Sequence, residues 1–283
     1  MKTFVILAAA LVLDATSHPS FPFHKRNVNC LATTLLNAHT PLQRRSEGLE
    51  FSYVGDKNPE TWNTLPGAET CKTGKLQSPI DFQTEAMLNP DIPIITWADY
   101  TNVEFIHTGN TVEVNLIEGQ TEKTTLTYAS GNQTFVLNQF HFHDPSEHTF
   151  LGRAFPMEAH FVFKTEEAEP KAAVFAVLFQ FASGEGSGGL LNQIGASLPA
   201  VDKPTTLPEL KLKQFGEGLN LSAKNDGVYR YEGSLTTPPC SEGILFNVLK
   251  TPTGATAFEL AEFYMAMPKN ARYTQPLNGR VSK

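Results

Sequence analysis

Residues 1–15 hold Lys2, an unbroken apolar run from Phe4 to Leu13 and the small residue Ala15. Charged, apolar and small positions in this order predict a secretory signal peptide over residues 1–15. The run is too short to span a bilayer. Residues 16–45 show no hydrophobic period and carry the basic pairs Lys25-Arg26 and Arg44-Arg45, which fits a possible pro-segment. From Val103 onward the pattern favours strands: apolar and polar positions alternate in Val112 to Leu116 and Thr124 to Tyr128, and Phe135 to Phe142, Met157 to Phe163, Val174 to Phe181, Val228 to Tyr231 and Ile244 to Leu249 continue the series. A period of two bounded by Gly, Pro and Asn predicts strands. Helical spacing is confined to residues 190–198 and 257–265. No segment repeats at a fixed length. The expected fold is mainly β, a single domain over residues 46–283 with a few short peripheral helices.

Charge narrows the partners. Lys and Arg number 22 against 29 Asp and Glu, a formal net charge of -7, which argues against nucleic acid. Residues 1–45 hold five of the basic residues and one of the acidic ones, so the remainder is more acidic still. No membrane partner is expected, and the sequence leaves the oligomeric state open. Of three cysteines, Cys30 falls in the suspected pro-segment, which leaves Cys71 and Cys240 as one candidate pair in an oxidising compartment. Asn132, in Asn-Gln-Thr, and Asn220, in Asn-Leu-Ser, fit the glycosylation acceptor rule. Gly184 to Gly189 matches G-x-G-x-x-G, but Pro199, Pro204 and Pro208 crowd the place where a dinucleotide fold needs its next parallel strand. That stretch is expected to be a flexible turn.

The chemistry concentrates in two of the strands. In Gln139-Phe140-His141-Phe142-His143 alternation puts Gln139, His141 and His143 on one face and both phenylalanines on the other. Glu158-Ala159-His160-Phe161-Val162 repeats the device. If the two strands pair, three histidines converge. Three imidazoles without thiolates are the ligand set of a catalytic zinc site with an open position, and Gln139 and Glu158, each two residues from a histidine, are placed to orient the rings.

With these residues in view, the sequence resembles an α-class carbonic anhydrase over most of residues 51–283. The resemblance rests on Tyr53-Val54-Gly55 with Pro59-Glu60 and Trp62, Gln77-Ser78-Pro79-Ile80, the two histidine strands and Ser146-Glu147-His148-Thr149. Gly233 to Pro239, and Asn270 with Gln275-Pro276-Leu277, complete it. It implies a large, mostly antiparallel, twisted sheet and a disulfide between Cys71 and Cys240. It further implies a secreted zinc enzyme that interconverts CO2 and bicarbonate by zinc-hydroxide attack, with zinc on His141, His143 and His160. By the same resemblance Thr236 donates to Glu147 and orients the nucleophile, Thr237 lies beside the bicarbonate path, and Val162, Val174, Leu235 and Phe246 form the apolar wall that holds CO2. His148 matches a position outside the metal shell.

Two departures from the family pattern matter. Asn110 stands where fast members carry a proton-shuttling histidine, so proton release is expected to limit turnover, with His107, expected at a strand surface or site rim, as the next candidate for that task. Phe246 and Phe51 each replace a tryptophan. The alternatives are a non-catalytic binding protein on the same fold, which typically lacks one or more of the zinc histidines, and a zinc esterase.

Overall fold

The computed structural model describes residues 49–116, 120–184, 186–200 and 203–280. The expected signal peptide, the pro-segment and Cys30 lie outside these residues. In chain order the elements are α1 (Thr70–Thr73), β1 (Asp81–Phe82), β2 (Leu88–Asn89), β3 (Ile94–Thr96), β4 (Tyr100–His107), β5 (Val112–Asn115) and β6 (Thr125–Thr127). They continue with β7 (Phe135–His143), β8 (Thr149–Phe150), β9 (Met157–Lys164), β10 (Ala172–Phe181), α2 (Leu190–Gly195), β11 (Thr205–Leu210) and α3 (Lys213–Asp226). Last come β12 (Val228–Ser234), β13 (Glu242–Leu249), β14 (Thr253–Ala255) and α4 (Ala257–Ala266).

A 12-stranded sheet runs in the order β11-β4-β5-β7-β9-β10-β13-β12-β2, with β14 beside β10 and β6 joining β3 to β7. Its pairs are antiparallel except β10 with β13 and β10 with β14. The mainly β, mostly antiparallel fold expected from the sequence is therefore observed, with four short α-helices among the described residues.

Alternation along the central strands divides the core in two. Phe140, Phe142, Phe161, Phe163, Phe175, Val177 and Phe179 point to one face, where Leu190, Leu191, Phe215, Leu219, Leu260 and Phe263 from α2, α3 and α4 cover them. Val162, Val174, Ala176, Leu178, Tyr231, Phe246 and Val248 point to the other, where they meet Phe51, Trp62 and the disulfide-bonded Cys71 and Cys240. Both faces of the sheet are thus buried, which is why β10 is apolar almost throughout and why β9 is buried from Met157 to Phe163, Glu158 and His160 included. The histidines belong to the second face.

Cys71 on α1 and Cys240 are joined across a sequence separation of 169. Closing so long a loop stabilises a fold by on the order of 2–5 kcal/mol.

Three local outcomes differ from the sequence reading. The longest helix among the described residues, α3, was not expected, because Gly216 and Gly218 interrupt its helical pattern. Gly216 is there for packing: a Cβ at that position would overlap the Trp97 ring. β11 contains Pro208 and still forms a strand, since it is the terminal strand of the path and Pro208 has no partner in its register with β4. The glycine-rich turn is held at one residue: the Ser187 hydroxyl donates to Glu259 Oε1 at 2.7 Å, its N–H donates to the same carboxylate, and Ser187 is fully buried. Glu259 also closes a capping box with Thr256 at the start of α4.

Candidate metal centre

β7 and β9 pair so that His141 faces His160 and His143 faces Glu158. Directly opposed residues in an antiparallel pair point to the same side of the sheet. His141, His143 and His160 therefore converge, with ring centroids 5.0, 5.3 and 4.6 Å apart. One nitrogen from each lies within 4.8 Å of the others.

The remaining nitrogen of each ring is engaged elsewhere. His141 Nδ1 lies 3.0 Å from Gln139 Oε1, His143 Nδ1 lies 3.0 Å from the Asn270 carbonyl, and His160 Nε2 lies 2.6 Å from Glu158 Oε1. A carbonyl or carboxylate oxygen only accepts, so each of these nitrogens carries the proton. The lone pairs that remain are on Nε2, Nε2 and Nδ1, and those of His141 and His143 are buried without a hydrogen-bond partner. Burial drives all three pKa values down, that of His141 well below the usual imidazole range, with the neighbouring histidines adding to the effect. Three neutral imidazoles, oriented from behind and presenting unprotonated nitrogens to one point, fit a zinc ion.

A second group, His148, Glu158 and His160, also sits close together. It is a hydrogen-bonded chain. Glu158 Oε1 accepts from His148 Nδ1 and His160 Nε2, both at 2.6 Å, and Oε2 accepts the backbone N–H groups of Glu147 and His148 at 2.8 Å. His148 Nε2 then accepts from or donates to Tyr231 Oη at 2.7 Å. His148 is thus held by partners on both nitrogens outside the histidine cluster, as its family position implied.

Glu147 is fully buried, and its Oε1 accepts the Arg272 N–H at 2.9 Å. Its Oε2 faces the cluster, 3.5 Å from His143 Nε2 and 4.0 Å from His160 Nδ1. Burial pushes its pKa up to about 7, against the opposing pull of His160, the Arg272 N–H and the Thr236 hydroxyl. Thr236 Oγ1 and Glu147 Oε2 are both buried. Glu147 Oε2 is turned toward the imidazoles, while the hydroxyl stays near enough to favour the carboxylate. Thr237 is buried beside Thr236.

The four apolar residues expected around the substrate share the histidines' face. Val162 pairs with Val174 across β9 and β10, and Val174 pairs with Phe246 across β10 and β13, so the three form one row. The Phe246 ring lies 5.7 Å from that of His160. Leu235, which follows β12, joins the same core.

Asn110 sits partly buried in the turn between β4 and β5. His107 departs from the sequence reading. It is buried, not at a surface or rim, with Nε2 2.6 Å from the Ala266 carbonyl and Nδ1 accepting the Gly109 N–H at 3.0 Å. Both ring nitrogens are engaged, so it is not free to carry protons. The Asn270 carbonyl behind His143 escaped the sequence reading as a functional group, because a backbone oxygen has no side-chain signature. Of the glycosylation candidates, Asn132 is exposed, whereas the Asn220 amide donates to the Ile95 carbonyl at 2.8 Å and accepts from Trp97 Nε1 at 3.3 Å.

Residues 57–282 match the family model described as eukaryotic-type carbonic anhydrase. A carbonic anhydrase of Neisseria gonorrhoeae is 37% identical over 268 residues, which cover 93% of this chain and 98% of that one. Among solved structures, the fungal alpha carbonic anhydrase of Aspergillus oryzae is 32% identical with a TM-score of 0.71, covering 82% of this chain and 95% of that one. The alpha carbonic anhydrase of Thermovibrio ammonificans is 31% identical with a TM-score of 0.71, covering 83% of this chain and 98% of that one.

Proposed function

The chain belongs to the eukaryotic-type, or alpha, carbonic anhydrase family, and from that premise we propose that it is a secreted zinc enzyme interconverting CO2 and bicarbonate. The observation that carries the reading is the convergence of three buried, neutral imidazoles whose protonated nitrogens are all turned outward. His141, His143 and His160 would hold the ion. When bound, zinc supplies the Lewis acidity that makes a water-derived nucleophile available near neutral pH, a property for which carbonic anhydrases are the standard example.

The protein's own residues do the rest. Gln139, the Asn270 carbonyl and Glu158 fix the three ring tautomers, so no reorientation precedes metal binding. Thr236, beside the Glu147 carboxylate, would donate its proton there and accept from the attacking water, which fixes the direction of attack. The row Val162, Val174 and Phe246, with Leu235, offers a nonpolar gas an apolar surface and excludes competing hydrogen bonds. Secretion is supported by the order of the first 15 residues and by the Cys71–Cys240 disulfide.

Thr236→Ala tests the reading of the site. The variant is expected to retain zinc while CO2 hydration falls on the order of 100-fold, since orientation is lost and the Lewis acid stays. Metal analysis and stopped-flow hydration on one sample measure both. Unchanged hydration would remove Thr236 from the mechanism.

A further inference from the structure

Hydration of CO2 by water yields bicarbonate and one proton, and that proton must leave the site in every cycle. Asn110 has no group that titrates, and both nitrogens of His107 are engaged in hydrogen bonds. The strand register points to another carrier. On β9, His160, Val162 and Lys164 follow one another at a period of two, and the residues between them, Phe161 and Phe163, belong to the opposite core. Lys164 therefore lies on the face that carries the histidines. Glu113 on β5 is directly opposite His141 on β7, so it shares that face too. Glu113 is buried and is the counter-charge of Lys164.

We propose that Lys164, with Glu113 as its counter-charge, carries protons between the three-histidine site and solvent. Lys164 also lines an open cavity of about 410 Å³ together with Tyr100, Lys123, Asn138 and Glu166. The charged and titratable groups facing Lys164 are thus Glu113 from β5 and, around the cavity, Lys123, Glu166 and Tyr100. Lys123 and Glu166 pair with each other at 2.5 Å in a largely exposed contact, so they mark the solvent side and leave Glu113 as the buried charge on the inner side. Burial keeps the Tyr100 phenol protonated. Burial also brings the Lys164 ammonium down to about 8 although Glu113 pulls the other way. An amine in that range accepts a proton from water on the inner side and yields it to buffer on the outer side, which an ordinary surface lysine does poorly.

The proposal rests on the carbonic anhydrase reading, and the test separates the two. Lys164→Arg keeps a cation for Glu113 but does not give up a proton near neutral pH. At low buffer concentration its kcat for CO2 hydration is expected to fall at least about tenfold below that of the unaltered protein. Its kcat/KM is expected to be unchanged, and added imidazole is expected to restore kcat. Lys164→Gln is expected to behave in the same way. Independently of turnover, the side chain observed by NMR in selectively labelled protein is expected to titrate near the value that burial imposes. Equal kcat for Lys164→Arg and the unaltered protein at low buffer, or a Lys164 signal that titrates as a free lysine does, would overturn the relay alone. No hydration by the zinc-loaded protein at saturating imidazole would overturn the family reading, and the relay with it.

Discussion

Glu158 shows how much one buried side chain organises. Both carboxylate oxygens are saturated, by His148 and His160 on one side and two backbone N–H groups on the other. Burial alone would raise its pKa, but the hydrogen bonds it accepts, those of His148 and His160 foremost, outweigh burial and hold the group well below the usual carboxylate range. The carboxylate can therefore fix His160 with Nδ1 toward the cluster. Glu158→Ala is expected to weaken zinc binding roughly 10- to 100-fold, the size of effect expected when a partner behind a ligand is lost. Competition with a chelator measures it, and a loss as large as that of His160→Ala would show that Glu158 does more than orient. The histidine face was legible in the sequence because Gln139 to His143 alternates without exception. Its geometry was not fully legible: nothing in the sequence says that Glu147 Oε2 turns toward the imidazoles of His143 and His160.

The elements that could be read in advance are those whose side chains obey one period. β9 and β10 lie between two cores and alternate between Phe-rich and smaller or polar positions, and β7 does so on either side of its register shift between Leu137 and Gln139. α3 hid because its pattern serves packing instead. Ala is a better helix former than Gly by about 1 kcal/mol, so propensity alone would have both Gly216→Ala and Gly218→Ala stabilise the fold. The surroundings separate them. A Cβ at Gly218 meets nothing within 4 Å, while one at Gly216 overlaps Trp97. Gly218→Ala is expected to gain about 0.5–1 kcal/mol and Gly216→Ala to lose about 1–3 kcal/mol, as overpacked sites do. Denaturant midpoints decide it, and a Gly216→Ala protein as stable as Gly218→Ala would contradict the packing account. Strand order was beyond the sequence for a different reason. β10 and β13 are parallel neighbours separated by α2, β11, α3 and β12, and no local pattern encodes so distant a pairing.

At the scale of the molecule, the sheet carries two burdens on two faces. One is closed by helices and holds an uninterrupted apolar core; the other gathers the polar cluster, the apolar row and the disulfide-linked segments around Trp62 and Cys240. Most of β7 and β9 contributes to both at once, which keeps the histidines on central strands of the sheet rather than on a loop. Among the described residues no helix is long and apolar enough to cross a membrane. The central claim is that this rigid cluster binds zinc and thereby hydrates CO2. Stopped-flow hydration of CO2 should be followed on one sample with zinc bound, after removal of the metal by a chelator, and after zinc is returned, with the metal content determined at each stage. The account predicts hydration that disappears with the zinc and comes back with it; hydration that persists without zinc, or its absence at full zinc occupancy, would contradict it.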